Sequence, residues 1–159
     1  MKISIVCVGK IKESFYREAI AEYAKRLSRY CKLEIFEVSD EKTPDKAPEA
    51  EENRILEKEA SRIEPVLKDD SYKIILDIGG KTFDSVAFSE KIESLAIGGI
   101  SHITFIIGGS LGLSEQIKKI GDLKISFSDM TFPHQLMRVI LLEQIYRAYR
   151  IMNHEPYHK

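Results

Sequence analysis

Two β-branched runs of this chain each end at a pair of glycines. Lys73–Ile78 meets Gly79-Gly80-Lys81, and His102–Ile107 meets Gly108-Gly109-Ser110-Leu111-Gly112. Short apolar runs stopped by glycine are strands, and the segment after each of these two has the three-to-four spacing of a helix. Ser85–Ile97 is such a helix, with Gly98-Gly99 beyond its C-terminus. Ser114 caps a short helix to Ile120. The first half repeats the alternation: Ile3–Val8 is a strand stopped by Gly9, and Leu33–Val38 is a second one. Between them Ile11, Phe15, Ala19, Tyr23, Leu27 and Tyr30 recur at helical spacing. Residues 40–49, with two prolines and dense charge, read as an exposed loop. A polar helix over about 51–64 stops at Pro65. Ile125–Phe127 is a short strand. Thr131 is then expected to cap a long helix to about Asn153, with Pro133 in its first turn, where a missing N–H does no harm.

This alternation predicts one α/β domain over 1–159, a largely parallel sheet flanked by helices. Ligands of such sheets sit outside the carboxyl ends of the strands. Residues 79–81, 108–112 and 128–133 lie there. The candidate site is thus located before any chemistry is considered.

A net charge of −1 is unexpected for a nucleic-acid partner, but the charge is unevenly spread. Residues 1–33 carry eight Lys/Arg against three Asp/Glu, and residues 34–70 carry six against thirteen. Residues 130–159 are net +2 and hold three of the four histidines. If the two ends meet in space, a basic face forms with the acidic segment turned away. No run of eighteen apolar residues exists, so no membrane span is expected. The opening apolar stretch stops at Gly9-Lys10 without a small-residue cleavage site, so it reads as a strand rather than a signal peptide. Cys7 and Cys31 lack CxxC spacing and read as reduced core thiols of a cytoplasmic protein.

Several motifs compete for the chemistry. Gly108-Gly109-Ser110-Leu111-Gly112 fits the G-x-S-x-G nucleophile elbow, with Asp122 or Asp129 and then His134 or His158 in hydrolase order. Against it, too few strands precede Ser110, no HGGG-type oxyanion segment exists, and His134 falls at a helix start. A glycine turn that lets a ligand approach the backbone is the simpler reading. The phosphate-binding patterns G-x-G-x-x-G and GxxxxGK[ST] are absent. His154 and His158 are four apart, but Pro156 prevents the helix that would bring both rings to one metal, so no metal is expected. The tail His154-Glu155-Pro156-Tyr157-His158-Lys159 joins an aromatic ring, two imidazoles and a cation, the side chains that stack on bases and hold phosphates.

Five segments carry a resemblance: Val8-Gly9-Lys10, Leu76–Lys81, Ile106–Leu113, Phe127–His134 and the tail 156–159. Together, and in order along essentially the whole chain, they resemble the SPOUT-superfamily ribosomal RNA large subunit methyltransferase H family, which methylates N3 of a pseudouridine in 23S rRNA. The resemblance implies a homodimer with a deep trefoil knot in the C-terminal half, the knot forming an S-adenosyl-L-methionine (SAM) site. It implies that Leu76 and Gly108 line the cofactor, and that Phe127, Ser128, Asp129, Met130, Thr131 and Phe132 wrap it with backbone groups. His134, Arg138, Arg147, Tyr157, His158 and Lys159 match positions facing substrate RNA. Ser110 departs from some relatives, which weakens the hydrolase reading further. On this view His134 and His158 are candidates for the base that removes the N3 proton, and Arg138 or Arg147 for charge stabilisation. The alternative class, a non-catalytic ribosome-binding assembly factor, would share the basic tail but would not need the glycine turns or the 127–132 loop.

Overall fold

The computed structural model describes all residues, 1–159. The elements run β1 (Lys2–Val8), α1 (Ser14–Leu27), β2 (Lys32–Val38), α2 (Glu49–Ile63), β3 (Tyr72–Thr82), α3 (Ser85–Ile97), β4 (His102–Ile107), α4 (Glu115–Lys119), β5 (Leu123–Ser126) and α5 (His134–Met152). The strands form one sheet in the order β2-β1-β4-β3-β5, and every neighbouring pair is parallel. The predicted α/β fold with helices flanking a parallel sheet is what forms. No helix is long and apolar enough to cross a membrane.

The unbroken apolar character of β1 and β4 follows from their place inside the sheet. All six residues of β4 are buried, as are the last six of β1. Successive side chains point to opposite faces, so each strand supplies two cores. Ile3, Ile5, Cys7, Ile103, Phe105 and Ile107 face the larger one, completed by Leu27 of α1, Phe88 and Ile92 of α3, and Leu141, Leu142 and Ile145 of α5. Val6, Val8 and Ile106 face the smaller one with Ala60 and Ile63 of α2 and Ile117 of α4. Residues at three- and four-residue intervals along α5 are buried, and this helix packs between α1 and α3.

Local signals explain most element ends. The Asp84 carboxylate accepts from the Ala87 N–H at 2.7 Å and opens α3, and the Ser114 hydroxyl accepts from the Ile117 N–H at 3.2 Å to open α4. Two boundaries differ from expectation. The strand read as ending at Ile78 continues to Thr82. Ile74–Leu76 pair with Leu123–Ile125, the ladder breaks, and Lys81 and Thr82 then pair with Ile125 and Ser126. Residues 77–80 bulge out between the two paired stretches. A Cβ on Gly80 would stand 2.6 Å from the Ile125 backbone, so this glycine permits close chain approach rather than ending a strand. The second difference is at α5, which starts at His134 with Pro133 as its N-cap, and no side chain caps it. Proline holds the preceding Phe132 out of the helical region, so Thr131 cannot begin the helix.

Phe105 is completely buried in the larger core. Phe105→Ala is expected to destabilise the protein by about 3–5 kcal/mol. Urea denaturation followed by circular dichroism would read this as a lower midpoint at unchanged slope.

Candidate active site

A cavity of about 860 Å³ opens at the carboxyl ends of the strands. Three segments wall it: Leu76–Ile78 from β3, Ile107–Leu113 from the turn after β4, and the chain from Ile125 through Met137 except for a few residues. Two of them contain regions the sheet argument selected, 108–112 and 128–133, because parallel strands end together and their loops cluster on one rim. Residues 79–81 lie outside the lining, since β3 runs on past them to Thr82. The 108–112 turn is tight. A side chain on Gly108 would collide with the Gly112 backbone, and Gly112 itself has φ +79°, a conformation suited to glycine. Lys118 of α4 crosses to Asp77 at 3.3 Å and sets a charge pair on the wall.

Of the residues implicated by sequence, Leu76, Gly108, Phe127, Ser128, Met130, Thr131, Phe132 and His134 all line this cavity. Asp129 lies in the same loop, but its side chain is exposed and outside the lining. His134 is half-buried, and its Nδ1 is enclosed without a hydrogen-bond partner. Burial and then the positive charge of Arg138 push its pKa below the usual imidazole value of 6.5, against the opposing pull of Asp40 and Glu13. The ring is therefore neutral at pH 7, with an unused nitrogen.

Arg138, one turn further along α5, does not line the cavity. It is buried and paired with Glu37 at 2.6 Å. Arg147, Tyr157 and His158 form a separate group with Glu143, which sequence reasoning passed over. Arg147 donates to Glu143 Oε1 from Nη2 at 2.7 Å and from Nε at 3.1 Å, and the Tyr157 hydroxyl donates to the same oxygen at 3.0 Å. The Arg147 guanidinium stacks over the Tyr157 ring at 4.7 Å and reaches His158 Nδ1 at 3.3 Å. Burial, followed by the Glu143 hydrogen bond, pushes the Tyr157 phenol up to about 12. Lys159 is exposed at the chain end.

The tail is thus folded against α5. Arg150 pairs with Glu155 at 2.7 Å, and Glu155 also accepts from the Tyr30 hydroxyl and lies 3.9 Å from Arg29. These contacts join the end of α1 to the tail, so the two basic ends of the chain do meet. His158 also borders a second hollow of about 480 Å³, which shares Phe127 and Phe132 with the first. The two hollows adjoin across those rings.

The competing chemistries fare differently. The Ser110 hydroxyl shares its side-chain hydrogen bond with Thr43 at 3.2 Å, and no histidine bonds to it. It lacks the base a serine nucleophile needs. His158 faces a guanidinium, an unfavourable neighbour for a cation ligand. Both thiols behave as core groups: burial pushes Cys7 up to about 12 and Cys31 to about 11.

Comparison with known proteins agrees with this geometry. A family model described as "Predicted SPOUT methyltransferase" matches residues 1–158. The chain is 60% identical to the ribosomal RNA large subunit methyltransferase H of Clostridium botulinum, over 100% of both chains. A probable methylase family protein from Haemophilus influenzae superposes with a TM-score of 0.56 at 14% identity, over 99% of this chain and 70% of that one. A methyltransferase from Legionella pneumophila, solved with the cofactor SAM bound, superposes with a TM-score of 0.50 at 12% identity, over 94% of this chain and 66% of that one. These two structures speak for the fold alone, whereas the full-length sequence matches speak for kinship. The chain belongs to the SPOUT methyltransferase family.

Proposed function

We propose that this protein transfers a methyl group from SAM to N3 of a pseudouridine in 23S rRNA of the large ribosomal subunit, acting as a homodimer in the cytoplasm. The observation that carries the reading is the strand-end cavity, floored by a glycine turn and walled by the 127–132 loop, with the half-buried His134 imidazole, its pKa lowered by burial, on its wall. Its volume of about 860 Å³ falls within the ordinary range for cofactor sites. A side chain at Gly108 would break the turn, and the apolar Leu76, Phe127 and Phe132 offer surfaces for a flat base. Backbone groups of residues 127–132 supply the polar contacts, so the exposed Asp129 side chain need not contribute. The deep trefoil knot implied by the family is part of this reading, and Gly80 lets β3 lie close against Ile125 of β5.

SAM supplies a methyl group on a sulfonium, a leaving group that departs without protonation. What remains for the protein is to hold N3 in line and take its proton. One N–C bond forms, one S–C bond breaks, and the imide proton goes to His134. The imidazole is suited to that because its depressed pKa keeps it unprotonated at pH 7. Arg147, Tyr157, His158 and Lys159, with the basic residues of α1 beside the tail, hold the RNA.

Tritiated methyl transfer from SAM to ribosomes lacking their native modification tests the reaction. Label confined to large-subunit RNA is expected, and SAM binding with no label on any RNA would sink the substrate assignment. Gly108→Ala should abolish SAM binding by calorimetry while leaving the larger core intact. His134→Gln should lower turnover by about 10²–10⁴-fold. For the unaltered enzyme, turnover should be full at pH 7 and decline as pH falls through the lowered His134 value, below 6.5. An acid limb unchanged in His134→Gln would exclude this ring as the base.

A further inference from the structure

Arg138 is the most enclosed charged side chain of the protein, 1% exposed. Its Nη1 donates to Glu37 Oε2 at 2.6 Å and its Nη2 to the Gly9 carbonyl at 2.9 Å. The same Glu37 oxygen accepts from the Ile11 N–H at 3.2 Å. Arg138 therefore ties together the end of β2, the turn after β1 and the first turns of α5. A guanidinium that reads RNA must present its fork to a phosphate or a base edge. This one has both arms of the fork engaged inside the protein.

His134 lies four residues earlier on α5, on the same helical face. Its Cε1 is 3.2 Å from the point a Cβ on Gly9 would occupy. Gly9 has φ +92° and no side chain, so the imidazole rests directly on the backbone whose carbonyl Arg138 grips. The charged groups acting on the ring are Arg138 from α5, Asp40 from the loop after β2, and Glu13 from the segment before α1.

We propose that Arg138 is a positioning residue for methyl transfer and not an RNA contact: with Glu37 and the Gly9 carbonyl it locks the start of α5 to the end of β1 and so fixes the His134 ring at the cavity wall. The proposal rests on the methyltransferase reading with His134 as base. It reassigns a position that family resemblance alone would give to the RNA.

The test pairs a titration of the His134 ring by NMR, which needs no RNA, with steady-state methyl transfer to large subunits. Arg138→Met should raise the pH at which His134 titrates, since a neighbouring positive charge is gone while Asp40 and Glu13 remain. Turnover should fall on the order of 10²-fold through misplacement of the ring, with KM for RNA and the salt dependence of binding unchanged. Arg138→Lys keeps the charge but not the fork, so the titration should return to its original position while kcat recovers only in part. An unmoved His134 titration in Arg138→Met, or a raised KM with a shallower salt dependence, overturns the proposal. Should Arg138→Met not fold, Glu37→Gln carries the test: lost kcat at constant KM supports the bridge, and a raised KM overturns it. If the unaltered protein methylated no RNA, the reaction assignment would fail by itself, and the His134 titration would still decide whether Arg138 sets that ring.

Discussion

The structure depends on β1 and β4 being buried on both faces. Strands so enclosed can present no side chain to solvent along their length, and their polar backbone is satisfied within the sheet. Everything that must touch a ligand is therefore pushed to the strand ends. With all five strands parallel, the rim at their carboxyl ends receives the turn after β1, the 108–112 turn and the 126–133 loop together. The cavity is a consequence of how the core is covered. It does not require a separate domain.

Helix α5 is the second organising element. Its buried face closes the larger core, its first turn carries His134 to the cavity, and its last turns hold the tail through Arg147 and Arg150. At about 1.5 Å per residue, His134 and Arg147 are separated by roughly 20 Å along the helix. Within one chain, this rigid element thus sets the distance between the proposed reacting end and the proposed RNA-holding end. A substrate that engages both must be longer than a nucleoside, in keeping with a polynucleotide.

How much of this is legible in the sequence varies with the physics involved. Ser85–Ile97 and His102–Ile107 are legible to the residue, because caps and glycines mark their ends and their apolar periodicity is clean. The continuation of β3 past Gly79-Gly80 is not, since glycine signals a turn and a close backbone approach with the same letter. The start of α5 differs from expectation because the restriction that Pro133 places on Phe132 outweighs the capping preference of Thr131. Within the site, the cavity lining contains the strand-end segments 108–112 and 128–133 but not 79–81, which the continued β3 carries away from it. The burial of Arg138 and the roles of Glu37 and Glu143 are invisible, because each depends on partners more than ten residues away or on which side of a helix faces inward. Arginine in a sequence suggests surface charge, and only packing reveals an enclosed ion pair.

The state of the two thiols has a practical side. With Cys31 near 11 and Cys7 near 12, even the more acidic of them is a thiolate only to the order of 10⁻⁴ at pH 7, and the thiolate is the form that reacts. The native protein accordingly offers a quiet background for maleimide chemistry. A single cysteine introduced on the exposed side of the 126–133 loop would outcompete both for a fluorophore. Loop movement around a bound ligand could then be followed without first removing either native residue from the core.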